Sequence, residues 1–119
     1  MKKRKVSDKA VDYILSRNLE RLRYLKASNI AEYIGANRSY LSRRFKMEQN
    51  ISLKDFILRE KIHRAIFILE MNPGKSIQEL STELGFLKVE DFDEEFRNYM
   101  TVEPERYRYL KKNFSGDRR

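Results

Sequence analysis

One stretch of the chain combines hydrogen-bond donors and positive charge at a helical spacing. Residues 31–46 read AEYIGANRSYLSRRFK. Leu41 and Phe45 stand four positions apart and therefore share one face of a helix. The donors fall on the other sides of that helix, and they are Ser39, Ser42, Arg43 and Lys46. Because arginine forms paired hydrogen bonds with guanine and serine contacts several bases, this face suits hydrogen bonding to base edges and phosphates.

The residues before this basic helix predict the turn that presents it. Gly35 can adopt the left-handed conformation that closes a helix without a Cβ penalty. Asn37 is a strong N-cap for the helix that follows. The pattern predicts a helix-turn-helix, whereas the alternative is an ordinary helical hairpin whose basic face is merely solvated. The rest of the chain has to decide between the two.

Composition predicts an all-α protein of modest size. A chain of 119 residues makes one domain, or two small subdomains that share a connecting element. Its 40% hydrophobic and 37% charged residues, with 4 Gly and 2 Pro, favour helices over sheets or disorder. Because the chain has no cysteine and a single histidine, His63, we expect no disulfide, no metal site and no cofactor.

The positive charge is concentrated in the first part of the chain. The net charge is +8, and residues 1–50 hold 13 Lys or Arg against 5 Asp or Glu, whereas residues 51–119 hold 13 of each kind. A basic segment attracts a polyphosphate and releases its counterions. The alternatives are general solubility and attraction to anionic lipids. No apolar run is long enough for a signal peptide or a membrane span, so we expect a cytoplasmic protein with no membrane partner.

Further start and stop signals predict about seven helices arranged as two helix-turn-helix subdomains. Ser7 or Asp8 is expected to cap a first helix that ends near Arg21, and SLKD from Ser52 starts a long helix. A second set of signals, with a capping box at Ser76, follows the break at residues 72–74. We expect a basic tail and first subdomain over 1–50, a linker helix over 51–71, and a second subdomain and C-terminal tail over 72–119.

These dispersed signals resemble the DNA-binding domain of the AraC/XylS family of bacterial transcription regulators, over about residues 25–108. The matching positions are Ala31, Gly35, the run SYLSRRFK from Ser39, Phe56, Ala65, Leu69, Leu80, Gly85, Phe86, Phe92, Phe96, Pro104, Tyr107 and Arg108. The resemblance implies two recognition helices in adjacent major grooves of double-stranded DNA. It implies base contacts by Ser39, Ser42 and Arg43, and backbone contacts by Asn37, Arg38, Tyr40 and Lys46.

Some positions depart from the family pattern, most of all in the second recognition helix. Its sequence, KVEDFDEEFR from Lys88, holds five acids where Arg, Gln, Ser or Thr is expected. Carboxylates facing phosphates are repelled, so Glu90, Asp91 and Glu94 are better candidates for protein contact, for example with an RNA polymerase subunit. Thr101 replaces a frequent Gly, and we expect the turn there to avoid the left-handed region because a β-branched residue is costly in it.

Two function classes remain. The first is a sequence-specific DNA-binding regulator in which the first recognition helix carries most base readout. The alternative is a helical protein-interaction module that keeps the fold with a degenerate DNA-binding role. An enzyme is not expected, because the acids lie along one helix without a histidine, a serine elbow or a glycine loop beside them. We expect either a small stand-alone regulator or the C-terminal part of a longer one.

Overall fold

The computed structural model describes residues 4–116 of the chain. That range is all helical, without a strand, as the sequence predicts. Its eight helices are α1 (Val6–Ser16), α2 (Leu19–Arg23), α3 (Ala27–Ile34), α4 (Arg38–Gln49), α5 (Leu53–Met71), α6 (Ile77–Glu83), α7 (Val89–Met100) and α8 (Pro104–Gly116). None of the helices described is both long and apolar enough to cross a membrane. The outer parts of the two predicted tails, residues 1–3 and 117–119, lie outside the described residues.

The chain divides into two compact units within α5. The first unit ends at Glu60 and the second begins at Lys61, so α5 contributes residues to both cores. The first core contains Ala10, Ile14, Leu22, Ile30, Ala31, Leu41, Phe45, Leu53, Phe56 and Ile57. The second contains Ile62, Ala65, Leu69, Leu80, Leu84, Phe92 and Phe96. The helical spacing of apolar residues predicts that seven side chains are buried, and all seven are: Phe45, Phe56, Ile62, Leu69, Leu80, Phe92 and Phe96.

The caps that the sequence predicts at the two turns are present. Gly35 has a φ of 80°, and the Asn37 side chain accepts a hydrogen bond from the Tyr40 amide at 3.1 Å. In the second unit the Ser76 hydroxyl accepts from the Glu79 amide at 3.0 Å, while the Glu79 carboxylate accepts from the Ser76 amide at 3.1 Å. Local hydrogen bonding thus sets where α4 and α6 begin.

The predicted first helix is in fact two helices. α1 ends at Ser16, Arg17 is extended, and α2 starts at Leu19. The break arises because the Asn18 side chain caps α2 by accepting from the Arg21 amide at 2.9 Å. The expected cap at Ser7 or Asp8 is also wrong, because α1 begins at Val6. This division explains why the described residues form eight helices instead of seven.

One further expectation about a single residue is wrong. Thr101 does adopt the left-handed region, with a φ of 68°, and its amide donates to the Arg97 carbonyl at 2.7 Å. Its hydroxyl donates to the Met100 carbonyl at 2.5 Å, and these two hydrogen bonds hold the strained residue in place. Lys61, in the middle of α5, is 9% exposed, and its ammonium group lies 5.6 Å from the centre of the Phe86 ring. Burial lowers the pKa of Lys61 below its ordinary value.

Candidate nucleic-acid interface

The basic helix α4 is anchored through one apolar face. Leu41 and Phe45 are both fully buried in the first core. The Phe45 ring meets the Phe56 ring edge-on, with 5.4 Å between the ring centroids. Such aromatic contacts fix the rotation of a helix about its own axis. The burial of this face therefore determines which side chains of α4 point toward the solvent.

The predicted base contacts lie on the side of α4 away from the core. Ser39 and Arg43 are exposed, whereas Ser42 is half-buried at the edge of that face. The predicted backbone contacts, which are Asn37, Arg38, Tyr40 and Lys46, are all exposed, and Tyr40 and Lys46 lie on either side of that face. The structure thus brings the seven predicted DNA contacts together on one helix and its cap.

A hydrogen-bond network that sequence reasoning missed ties α4 to α1. The Glu48 carboxylate accepts from the Ser7 amide at 3.1 Å, and the Gln49 amide group donates to the Ser7 hydroxyl at 3.0 Å. Arg44 donates to the same Glu48 carboxylate at 2.6 Å. Ser7 and its two partners in α4 are more than 40 positions apart in the sequence, so no local pattern reveals these contacts.

Within this network the Glu48 carboxylate stabilises the N-terminal end of α1. An amide in the first turn of a helix has no carbonyl partner within that helix. In α1 the Glu48 carboxylate accepts the hydrogen bond of such an amide, that of Ser7. Hydrogen bonding to Ser7 and the nearby Arg44 guanidinium lower the pKa of Glu48 below its ordinary value, against a smaller opposing effect of burial. Arg44 is therefore engaged in an ion pair within the first unit, while Arg43 beside it is exposed.

The corresponding helix of the second unit, α7, has the opposite charge. Phe92 and Phe96 are fully buried, as Leu41 and Phe45 are in α4. Glu90, Asp91 and Glu94, the predicted candidates for protein contact, are exposed. α7 holds five acids and one arginine, whereas α4 holds four basic residues and one acid. The two helices therefore present opposite electrostatic faces to any polyanion.

The acids of α7 have a local reason as well as a functional consequence. Glu90 and Asp91 occupy its first turn, where negative charge interacts favourably with the helix dipole. Burial raises the pKa of Asp93, and the carboxylates of Glu103 and Glu90 raise it further. The carboxylates on this side of α7 are thus close enough to repel one another.

Nothing in the described residues points to metal or small-molecule chemistry at these helices. Among them, no group of three or more His, Asp or Glu side chains could hold a metal ion. An open cleft of about 840 Å³ lies in the second unit, beside the end of α5 and α8. Its polar groups are engaged with one another: Tyr107 donates to Glu70 at 2.7 Å, and Arg108 donates to the Pro73 carbonyl at 3.2 Å. Burial and Glu70 raise the pKa of Tyr107 to about 12.

Residues 4–116 form two helix-turn-helix units with capped helices, and the first unit carries a basic helix. This is the architecture of the helix-turn-helix class of DNA-binding proteins. Residues 30–109 match the model of a family described as a helix-turn-helix domain. The chain belongs to the AraC-type family of helix-turn-helix regulators.

The chain is also similar to a regulatory protein. The chain is 36% identical over 84 residues to the Msm operon regulatory protein of Streptococcus mutans, an alignment that covers 71% of this chain and 30% of that protein. The chain therefore spans less than a third of the length of that relative.

Solved structures share the fold. A transcriptional regulator of Chromobacterium violaceum, described as AraC-type, superimposes with a TM-score of 0.77 at 25% identity, covering 89% of this chain and 91% of that one. The DNA-binding domain of AdpA, solved in complex with a target DNA, superimposes with a TM-score of 0.79 at 18% identity, over 96% and 99% of the two chains.

Proposed function

We propose that the chain is a sequence-specific, DNA-binding transcription regulator in which α4 carries most of the base readout. The observation that supports this is the outward face of α4, where exposed donors and basic residues lie opposite a buried apolar anchor. A helix of this kind fits the major groove, whose base edges form hydrogen bonds with such side chains. Regulation of transcription by the whole protein, and the cytoplasmic location that goes with it, belong to the same proposal.

The roles within this face follow from reach and chemistry. Arg43 can form two parallel hydrogen bonds with a guanine, which makes it the main specificity contact. Ser39 and Ser42 contact neighbouring bases. The residues that bind phosphates and set the register are Asn37, Arg38, Tyr40 and Lys46. The amide groups at the N-terminus of α4 add a favourable dipole for a phosphate.

The acidic helix α7 does not read DNA in this proposal. Two unit charges about 4 Å apart interact with about 1 kcal/mol in water, and with more where solvent is excluded. Several carboxylates in a groove would therefore offset much of the gain from α4. Glu90, Asp91 and Glu94 instead stand away from the DNA or face a protein, such as an RNA polymerase subunit. We further propose that residues 51–71 act as a linker helix between subdomains at 1–50 and 72–119.

Selection from a random pool of DNA duplexes tests the proposal. The protein is expected to enrich one sequence motif and to bind it more tightly than a scrambled duplex in fluorescence anisotropy. The logarithm of the binding constant should fall linearly with the logarithm of salt concentration, with a slope of about −3 or steeper when three or more phosphates are neutralised. No binding at low salt, or a flat salt dependence, contradicts the proposal and favours the protein-interaction module.

A further inference from the structure

The outermost row of α4 contains one residue that the DNA-binding proposal leaves unused. Leu41 and Phe45 define the direction of the core. At about 100° per residue, Arg43 points about 180° away from the midpoint of those two side chains. Ser39 and Met47 stand four positions to either side of Arg43 and therefore lie in the same row. Met47 is 68% exposed, so this row of donors ends in an apolar side chain.

The position of Met47 separates it from the other exposed apolar residues of the chain. A single exposed apolar residue is ordinary and carries no argument by its presence. Met47, however, follows Arg43 by one helical turn, about 6 Å along the axis of α4. Ser42, by contrast, is half-buried at the edge of the face. By exposure and direction, Met47 reaches further from the core than one of the predicted base contacts does.

We propose that Met47 contacts the C5-methyl group of a thymine and sets a preference for thymine one to two base pairs from the base that Arg43 reads. The inference rests on the proposed function, because it requires α4 in the major groove. The thymine methyl is the apolar group that a base pair displays there. Methionine is flexible and polarisable, which lets it pack on such a group. Adjacent bases of one strand are about 3.4 Å apart, so a side chain about 6 Å further along α4 reaches a neighbouring step.

The test removes the methyl group from the DNA and the side chain from the protein in one cycle. A motif is first selected with the unmodified protein. Each thymine of that motif is then replaced singly by deoxyuridine, which lacks nothing but the C5-methyl. One such replacement should lower the affinity of the unmodified protein about fourfold, the effect of losing one buried methyl group. Met47→Ala should lower the affinity to a similar extent and lose no further affinity on that replacement.

Met71→Ala is the matched control. Met71 ends α5 and is 62% exposed, so its truncation should leave the deoxyuridine effect unchanged. Because Met47 is exposed, Met47→Ala should unfold at the same temperature as the unmodified protein. The inference about Met47 is overturned if the deoxyuridine penalty is equal in the unmodified protein and Met47→Ala, or if no thymine methyl matters.

The result also separates this inference from the proposed function. If the selected motif still depends on Arg43 while the cycle shows no coupling, the inference about Met47 alone fails. If selection yields no preferred sequence, the proposed function fails and the inference fails with it.

Discussion

Arg43 and Arg44 are neighbours of the same type with opposite environments. Arg44 is half-buried, and its guanidinium lies 2.6 Å from the Glu48 carboxylate. Arg43 is exposed and points away from the core. The difference arises from about 100° of helix rotation, which the burial of Leu41 and Phe45 determines. The residue type alone does not separate an arginine engaged within the fold from an exposed one, but the phase of the helix does.

Truncation of Arg43 should therefore affect sequence preference, whereas truncation of Lys46 should affect affinity in general. Arg43→Ala is expected to cost about 1–3 kcal/mol on the selected motif and to relax the preference at one or two base pairs. Lys46→Ala should weaken binding to selected and random duplexes about equally. Competition binding with single-base variants of the motif measures both effects. Equal losses of Arg43→Ala on selected and random DNA would argue against base readout.

Thr101 and Asn50 provide a matched pair at the ends of α7 and α4. Both lie in the left-handed region, with φ values of 68° and 60°. Asparagine tolerates that region, whereas a β-branched residue is strained there. Thr101→Gly should raise the free energy of unfolding by about 0.5–1 kcal/mol, the relief of strain less the added entropy of glycine in the unfolded chain.

Asn50→Gly should lower the free energy of unfolding by about 0.5 kcal/mol, because little strain is present to relieve and glycine still adds entropy to the unfolded chain. Denaturant unfolding of both variants gives the comparison. A loss of stability in Thr101→Gly would mean that the hydrogen bond from its hydroxyl to the Met100 carbonyl outweighs the backbone strain.

At the scale of elements, α4 provides the acceptor for the Ser7 amide in the first turn of α1. α1 lies outside residues 30–109, which match the family model, yet Glu48 of α4 accepts from the Ser7 amide. Ser7 is fully buried in this contact. The first unit is thus closed by a contact between helices that are far apart in sequence, and α1 helps to hold α4 in place.

Glu48→Gln should destabilise the first unit in a pH-dependent way. The pKa of Glu48 is lowered on folding, so its carboxylate stabilises the fold above about pH 4.5, its ordinary pKa, and this contribution is lost as the pH falls through the lowered value. The variant should therefore unfold at a lower temperature than the unmodified protein at pH 7, and the difference should shrink below about pH 4.5.

Glu32→Gln, at an exposed position of α3, is the control for this experiment and should leave the unfolding temperature unchanged. Thermal melts followed by circular dichroism at several pH values provide the measurement. A Glu48→Gln deficit that stays constant down to strongly acidic pH would show that shape, not charge, is what the network requires.

Across the whole molecule, the features that the sequence predicts are those that depend on neighbours along the chain. Gly35, Asn37 and Ser76 act within a single turn of helix, and helical spacing identifies the buried face that includes Phe45 and Phe92. These predictions are confirmed. Helix phase also predicts which residues of α4 are candidate base contacts. Their role in DNA binding remains a prediction.

Several features that the sequence does not predict depend on contacts between residues far apart in the chain. The start of α1 depends on Glu48, which lies 41 positions after Ser7. Lys61 is buried against Phe86, a contact across 25 positions that its place in a charged helix does not reveal. The strained backbone of Thr101 is instead held by local hydrogen bonds to the Arg97 and Met100 carbonyls. Long-range contacts thus decide the first two features, and no local pattern reveals them.

The distribution of charge over the chain leads to the central claim that DNA is read through α4 and not through α7. The most direct measurement is methylation interference and footprinting on the selected duplex, with the unmodified protein and with Glu94→Ala. The claim predicts strong base interference within a single major-groove segment, with specific binding undiminished in Glu94→Ala. Interference in two successive major grooves, together with weaker specific binding by Glu94→Ala, would contradict it.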